Sequence, residues 1–398
     1  MRLPHLRPAA SLMLVSGLLL ALPVPASAIP AFARRYRTSC QLCHNPIPKL
    51  TDFGYQFAAN GYRMASGEAP RDTLNTGDEL LSLLENVPLA FRMEMYAQGY
   101  ANGKAATDFQ FPYGIKALSG GALSKSISYY FYTFLVERGD IGGVEDAFLH
   151  FNDIGGAPID VAVGQFQVSD PLFKRELRLE FEDYAVYRAR VGDGPIDLTY
   201  DRGVMAMADA AGFTLTAEVL NGSGIGVAQA NRRYDTDASK NVFLHLTRDV
   251  AAPLRLGVGG YYGRSHGNGT TNETGMLLVD GTLSLGALEL NGQFIHRRDN
   301  EPTYTLGEPT VRMNGGFGEL IVRPAGSRFY GFMLYNLVTA NRPLLDVREG
   351  GPTNLKRYES LSGGIGHVVR RNVRVSGEVT YDLEADAGRL TFGVVTAF

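Results

Sequence analysis

The sequence predicts an all-β fold, in which about 16 antiparallel strands close into a barrel behind a small α-helical segment at the N-terminus. Three observations predict it. From Val87 onward apolar residues alternate with polar or small ones, the number of alternating segments is even, and short and long connections alternate. The composition agrees, because the 398 residues include 47 Gly, 20 Tyr and 21 Phe but no Trp, which favours strands and turns.

The period of two is clear in several stretches. Phe91, Met93 and Met95 alternate with Arg92 and Glu94, and the same pattern returns in residues 254–262 and 373–383. We therefore expect strands near residues 87–101, 108–119, 125–137, 143–153, 158–168, 196–208, 212–221, 241–249, 254–264, 275–285, 287–296, 311–323, 328–338, 358–370, 373–383 and 389–398.

The connections between these segments fall into two classes. Short turns are expected near Ala210-Ala211, Ala251-Pro253, Gly286-Ala287, Ala325-Gly326 and Arg371-Asn372, and long polar loops at residues 169–195, 222–240, 265–274, 297–310 and 339–357. Short periplasmic turns and long outer loops are typical of outer-membrane barrels. Residues 171–193 also alternate, so we interpret them as an outer loop or a hairpin on top of the barrel.

Periodicity alone does not separate a membrane barrel from a soluble sheet, whose apolar face would cover a core. The even strand number, the alternating connections and the final strand, in which Leu390, Phe392, Val394 and Phe398 share one face, favour the barrel. Only helices and closed barrels can face lipid, and no apolar helical span follows the N-terminus. A secreted β-sandwich with a separate N-terminal domain is the alternative.

The first 28 residues have the features of a secretory signal peptide. Arg2 and Arg7 precede an apolar stretch from Ser11 to Leu22, and Ala26-Ser27-Ala28 fits the cleavage rule, so the mature chain is expected to start at Ile29. The alternative is an uncleaved anchor, for which the stretch is short. The formal net charge of −3 gives no sign of nucleic-acid binding, which requires a basic patch.

The two cysteines of the chain lie in the motif Cys40-Gln41-Leu42-Cys43-His44. Cys-x-x-Cys-His is the attachment pattern of c-type haem, because two thiols one helical turn apart can add to the porphyrin vinyl groups and the next residue places an imidazole under the iron. His44 is then the proximal iron ligand. A zinc site, a thioredoxin-like pair, a plain disulfide and a chance match are the alternatives.

The residues after the motif predict a haem cradle. Leu50, Phe53 and Phe57 form an apolar stripe on one helical face, and Asn60-Gly61 fits the end of that helix. Met64 is the candidate sixth iron ligand, with His150, His245 and five-coordinate iron as alternatives. Met93 and Met95 fall on the expected lipid face, whereas His150 and His245 are expected to face the lumen.

Residues 29–64 resemble the fused monohaem cytochrome–porins of the outer membrane, whose best-known members are the outer-membrane cytochromes of iron-oxidising bacteria. The resemblance lies in the lead-in Ile29-Pro-Ala-Phe-Ala-Arg34, the haem motif, Phe53-Gly54, Phe57 and Gly61-Tyr62, about a tenth of the chain. It implies one covalent haem c, held by Cys40, Cys43 and His44 at the periplasmic end or in the lumen of the barrel. It also implies electron transfer across the outer membrane.

The expected organisation is therefore a signal peptide (1–28), a monohaem domain (29–64), a linker with a short helix from Asp78 to Glu85 (65–86), and a transmembrane barrel (87–398). The favoured function is exchange of electrons between a periplasmic carrier, such as a cytochrome, and an extracellular donor or acceptor. A metal ion such as Fe²⁺ is the candidate for this extracellular partner. This predicts an electron-transfer protein rather than a substrate-transforming enzyme. The alternatives are a passive channel whose haem domain is a structural or sensory plug, and a haem enzyme such as a peroxidase.

Overall fold

The computed structural model describes residues 31–44, 49–64, 73–81, 83–85, 87–101, 107–169, 176–348, 351–370 and 372–398. The signal peptide, with its expected cleavage site at Ala26–Ala28, lies outside the described residues. Within those residues, no helix has both the length and the apolar character needed to cross a membrane.

Sixteen long antiparallel strands form a closed barrel in the described part of the chain. They are β1 (Leu89–Ala101), β2 (Thr107–Ala122), β3 (Ile127–Glu137), β4 (Val144–Phe151), β5 (Ile159–Gln167), β6 (Tyr200–Ala210), β7 (Phe213–Leu220), β8 (Asn241–Ala251), β9 (Leu254–Gly267), β10 (Thr270–Leu285), β11 (Leu288–Asp299), β12 (Val311–Val322), β13 (Phe329–Ala340), β14 (Arg357–Arg370), β15 (Val373–Asp382) and β16 (Ala387–Ala397). Each pairs with its neighbour in sequence, apart from two-residue strands in the loops, and β16 closes the barrel on β1 through the pair Val394↔Met95.

This architecture confirms the predicted fold class. Shorter elements are the strands Thr73–Leu74, Leu83–Leu84, Asp140–Ile141, Arg190–Val191 and Leu345–Asp346 and the 3₁₀ turns Ile154–Gly156 and Ala230–Arg232. The helices are α1 (Ala31–Tyr36), α2 (Cys40–Cys43), α3 (Asp52–Ala59) and α4 (Ala185–Arg188).

The connections sort into a short-turn end, where β1 starts, and a long-loop end, where β1 finishes. One prediction is wrong here. The expected outer loop 265–274 is absent, because β9 and β10 continue to a two-residue turn at Asn268-Gly269. Both residues have positive φ, +49° and +76°, which is the conformation that tight hairpins need and that Asn-Gly adopts readily.

The outer and inner faces of the wall differ as the alternation predicts. Large apolar side chains are exposed on the outside; Leu277 is 68% and Phe392 is 58% exposed. Their neighbours in the strands point inward and many are polar, among them the fully buried Glu218 and Asn336. The wall therefore has an apolar exterior and a charged interior. A soluble sheet protein has the opposite arrangement, with its apolar side chains inside.

The interior of the barrel is partly filled with side chains and is not an open aqueous pore throughout. Residues 169–195 were expected as an outer loop or a hairpin on top, and residues 196–199 as the start of a strand. Instead, residues 176–199, here called the lumen segment, fold into the barrel. Leu177, Leu179, Tyr184 and Val186 of this segment are buried and belong to one apolar cluster with side chains of the wall. These wall side chains include Phe243, Ile295, Met313, Phe317, Leu334 and Val338.

Ion pairs attach the opposite face of the lumen segment to the barrel wall. Glu176 accepts from Arg92 at 2.8 Å, Glu182 pairs with Arg389 at 2.6 Å, and Glu180 pairs with Arg374. Arg178 pairs with Glu94 of β1. The alternation of apolar and charged residues in this segment therefore corresponds to two buried faces. The apolar face packs in the apolar cluster, and the charged face pairs with charged side chains of the wall.

The predicted linker helix from Asp78 to Glu85 is also wrong. Thr73–Leu74 pairs instead with Leu83–Leu84 in a two-stranded hairpin. Local side-chain bonds explain the difference: Asn75 Oδ1 accepts from the Gly77 amide and Asp78 Oδ1 from the Leu80 amide. Such bonds compete with helical ones, and Gly77 has a φ of +77°.

Candidate cofactor site

Helix α2 places the two thiols one turn apart. Its N-cap is Ser39, whose hydroxyl accepts from the Gln41 amide at 3.2 Å, and the helix ends at Cys43. The His44 amide then donates to the Cys40 carbonyl at 2.9 Å. The capped single turn therefore presents Cys40, Cys43 and His44 as one compact group, although the surrounding chain has little regular structure.

The chain returns to this group after His44 and fixes it from the other side. His44 and Leu50 form an isolated antiparallel bridge, and the Thr51 hydroxyl donates to the Leu42 carbonyl at 2.7 Å. Thr51 also caps α3 by accepting from the Gly54 amide at 3.1 Å. A Cβ on Gly54 would lie 2.1 Å from the Cys43 carbonyl oxygen, so only glycine permits this approach of α3 to α2.

A cavity of about 250 Å³ lies between these helices and the barrel wall, at the short-turn end. The helical side contributes Cys40, Cys43, His44 and Met64 with apolar side chains around them, namely Phe32, Tyr36, Leu50, Phe53, Phe57 and Tyr62. The wall contributes residues from β1 to β4 and from β13 to β16, with the turn between β12 and β13. An apolar cavity bordered by two thiols and an imidazole has the chemistry that a covalently attached haem requires.

Both thiols are reduced and half-buried. Burial raises the pKa of the Cys43 thiol to about 11, with a smaller contribution from the neighbouring Cys40, and burial also raises the pKa of Cys40. A thioredoxin-like pair relies on a lowered thiol pKa, so the environment of these cysteines disfavours that alternative.

The helical segment is anchored to the wall by stacking and by a buried arginine. Tyr62 lies between Phe32, with ring centroids 5.1 Å apart, and Tyr130 of β3, at 4.6 Å. Arg63 is 1% exposed and donates to the Lys125 carbonyl at 2.5 Å, in the turn between β2 and β3. Lys49 also pairs with Glu289 of β11.

The structure brings together the four residues that the sequence singled out, since Cys40, Cys43, His44 and Met64 all border the cavity. The Phe53–Phe57 stripe lies on α3 as expected, but Leu50 precedes the helix, which begins after Thr51. The predicted C-terminal signal is confirmed, because α3 ends at Ala59 and Gly61 has a φ of +62°.

The alternative iron ligands lie elsewhere. His150 and His245 are buried on the inner face, as the register predicts, but neither borders the cavity. His245 bonds Asp280 at 2.7 Å. Within the described residues, no group of three or more His, Cys, Asp or Glu side chains is arranged to hold a metal ion directly.

Sequence reasoning missed the wall of the site. Arg92, Lys116 and Glu176 border the cavity and form a charged cluster with Glu94, in which Lys116 lies 3.3 Å from Glu176. The inward direction of Arg92, Glu94 and Lys116 could be predicted from the alternation in β1 and β2. The proximity of Glu176 to these side chains could not be predicted, because it depends on the lumen segment entering the barrel.

Comparison with solved structures shows porin-type barrels. The anion-selective porin from Comamonas acidovorans matches with a TM-score of 0.56 and 12% identity, over 79% of this chain and 99% of the porin. OmpF of Salmonella typhi, solved with daunomycin, matches with a TM-score of 0.55 and 9% identity, over 78% of this chain and 97% of OmpF. OmpT of Vibrio cholerae matches with a TM-score of 0.52 and 11% identity, over 78% and 97%.

At these identities the likeness shows the fold alone, which is that of outer-membrane porins. No protein-family model matches the chain, and no curated protein matches it.

Proposed function

We propose that this chain is an outer-membrane electron-transfer protein, with one haem c attached to Cys40 and Cys43 and ligated by His44. The observation that carries the proposal is the single cavity that joins both thiols, the imidazole and a largely apolar wall. The resemblance of residues 29–64 to fused cytochrome–porins supports the same assignment.

The porin-type fold and the apolar exterior support a location in the bacterial outer membrane. In this location the short-turn end faces the periplasm, because periplasmic turns of such barrels are short. The cavity then opens on the periplasmic side, where a soluble electron carrier can approach. The other redox partner is extracellular, and a metal ion such as Fe²⁺ is the candidate.

Each residue of the site has a definite task in this proposal. Cys40 and Cys43 would hold the porphyrin by thioether bonds and His44 would bind the iron, while Met64, which borders the same cavity, is the candidate for a second protein ligand. The apolar rings of Phe32, Phe53 and Phe57 exclude water from the site. A bound haem supplies a reversible one-electron iron couple, whose potential depends on the axial ligands and on burial.

A passive channel is the second candidate, and the likeness to an anion-selective porin favours it. The lumen segment argues against it, because Leu177, Leu179 and Tyr184 pack in the interior where a pore would run. A haem peroxidase would need an open sixth position. A six-coordinate low-spin spectrum in both oxidation states would therefore count against a peroxidase.

The decisive test is expression in a Gram-negative host that matures c-type cytochromes. Outer-membrane fractions should contain a haem-stained band whose mobility changes on heating, as expected of a barrel, and the purified protein should exchange electrons with a soluble redox reagent. Cys40→Ser with Cys43→Ser should abolish covalent haem. Absence of covalent haem in the wild-type protein, or haem that exchanges no electrons, would contradict the proposal.

The sixth ligand has its own test. Met64→Leu should lower the haem reduction potential and change the spin state, because loss of a methionine ligand removes its stabilisation of reduced iron. Met93→Leu is the matched control, since Met93 lies on the outer face of β1. Equal spectra for the two variants would exclude Met64 as a ligand.

A further inference from the structure

Basic side chains surround one side of the cavity mouth at the short-turn end. Arg323 and Arg328, in the turn between β12 and β13, border the cavity itself. Arg370 is exposed at the end of β14, beside that turn, because the Val368 amide donates to the Arg328 carbonyl at 2.9 Å.

Helix α1 extends this basic surface to β1. Arg34 of this helix and Arg37, which follows its last residue, are exposed, and Arg34 Nη2 donates to the Leu89 carbonyl at 2.9 Å, at the start of β1. The strands β13 to β16 and β1 are consecutive in the barrel, so these arginines follow one continuous part of the end. We call Arg34, Arg37, Arg323, Arg328 and Arg370 the basic rim.

The chain segments that form the basic rim contain no acidic residue. Residues 31–44, 87–93, 323–328 and the described residues of 367–374 include no Asp or Glu. The rest of the same end carries both signs: exposed Asp153, Asp209 and Asp249 lie there with exposed Lys125 and Arg248, Asp153 lies 3.4 Å from Arg63, and the exposed Asp52 of α3 lies 3.8 Å from Arg255. The acidic side chains Asp78 and Glu79 of the linker hairpin do not border the cavity. The purely basic surface therefore lies on the side of the mouth formed by β12 to β16 and the start of β1.

This surface also lies where a redox partner must come close. Residues 31–44 and 49–64 are here called the cofactor segment. Its residues Ser39, Gln41, Leu42 and Met64 are exposed at the same end, so the rim of the cavity is accessible from solvent. A concentrated field of one sign at such an opening raises the local concentration of oppositely charged partners and their association rate.

We propose that the basic rim is the docking surface for a soluble electron carrier whose own contact face is acidic. The inference rests on the proposed function, and it adds the chemistry of the carrier and the side of the mouth that it approaches. A carrier with a basic contact face would be repelled at this part of the end.

The test uses the full haem-loaded protein in zwitterionic nanodiscs and two small probes of opposite charge. The rates of electron exchange with ferricyanide, an anion, and with hexaammineruthenium(III), a cation, are measured by stopped flow at low and high salt. Arg328→Glu and Arg370→Glu are compared with Arg248→Glu, which makes the same charge change on another part of the same end. Haem content and absorbance are recorded first for every variant.

We expect each rim variant to lower the ferricyanide rate by about fivefold at roughly 10 mM salt, raise the ruthenium rate, and lose most of this effect at roughly 500 mM salt. Arg248→Glu should change both rates by less than about twofold, because it lies away from the mouth. Equal effects of all three variants, or a fall in both rates together, would overturn the inference.

Further outcomes distinguish a wrong docking surface from a wrong proposed function. Rates that do not change, with weaker co-purification of anionic phospholipid, would show that the rim binds lipid headgroups, and the inference would be wrong. Wild-type protein without haem would refute the proposed function itself. Normal haem with rates that ignore the rim would refute only the docking surface.

Discussion

Tyr62 stacks on Tyr130, with ring centroids 4.6 Å apart and planes inclined by 13°. The first residue belongs to the segment that carries the thiols and the second to strand β3, so this pair ties the cofactor segment to the wall. The other face of Tyr62 carries Phe32 with the planes inclined by only 1°. Ring packing, together with the buried Arg63, therefore holds the segment against the wall.

Tyr62→Ala should loosen this attachment. Loss of a stacked aromatic pair costs about 0.5–1.5 kcal/mol beyond the buried area, and the vacated space adds a cavity. We expect proteolysis after residues 34–37 to become faster while the barrel keeps its heat-modifiable mobility. Tyr304→Ala, in a long-loop-end connection, is the control. Unchanged proteolysis in Tyr62→Ala would mean that other contacts dominate.

Gly54→Ala should disturb the cofactor group. The new Cβ would meet the Cys43 carbonyl at 2.1 Å, which forces α3 away from α2 at a cost of about 1–3 kcal/mol. The expected result is less covalent haem per barrel, measured by haem absorbance against protein content. Gly143→Ala meets no atom within 4 Å and should leave the ratio unchanged. Normal haem content in Gly54→Ala would argue against the close approach.

Arg297→Met should release the lumen segment. Arg297 is 1% exposed, donates to the Ala189 carbonyl at 3.1 Å and to the Ile196 carbonyl at 2.8 Å, and pairs with Asp299 at 2.7 Å. Its loss leaves a buried carboxylate without its cation, a cost of about 3–5 kcal/mol. We expect a lower barrel-melting temperature on electrophoresis and a higher conductance in planar bilayers.

The control for Arg297→Met is Arg264→Met, which breaks an exposed pair with Glu273 and should change neither property. A conductance equal to that of the wild type in Arg297→Met would show that the lumen segment does not limit passage.

Leu277→Arg tests the lipid face. Leu277 is 68% exposed in the middle of β10, and a charge placed at the bilayer midplane on such a face costs about 2–4 kcal/mol. Folding yield into lipid vesicles should fall accordingly. Leu306→Arg makes the same change at an exposed loop leucine and should fold normally. Equal yields would contradict a lipid-facing wall.

The thiols of the chain produced without haem should react slowly at neutral pH. The folded-state pKa of Cys43 is raised to about 11 by burial, so the neutral thiol is the favoured form and the thiolate appears as the pH approaches 11. Alkylation by iodoacetamide should accelerate about tenfold per pH unit in this range. Because the folded-state pKa is higher than the unfolded one, the neutral thiol contributes to the stability of the fold. This contribution is complete below the unfolded thiol pKa of about 8.5 and is lost as the pH rises through about 11. Rapid alkylation at pH 7 would instead indicate an activated, thioredoxin-like thiol.

Much of the fold could be predicted from residues alone because a membrane wall imposes a strict local rule. Each strand must alternate between lipid and interior, so Met93 and Met95 were assigned to the outside and His150 and His245 to the inside without coordinates. The haem motif is equally local, since its chemistry needs only the spacing of Cys40, Cys43 and His44.

The errors arose where local signals compete. Asp78 to Glu85 has a helical pattern, yet Asn75 and Asp78 bond their own backbone and turn the chain. The polar residues around 265–274 resemble a loop, but the Asn268-Gly269 turn lets β9 and β10 extend through them.

The barrel, the inward or outward direction of its side chains and the group Cys40-x-x-Cys43-His44 could all be predicted from residues alone, because each depends on a short-range periodicity or spacing. The placement of residues 176–199 in the lumen, and of wall arginines around the same cavity as the thiols, required the three-dimensional structure. Those contacts join residues far apart in the chain, such as Arg374 with Glu180, and their partners are fixed by how the whole barrel closes.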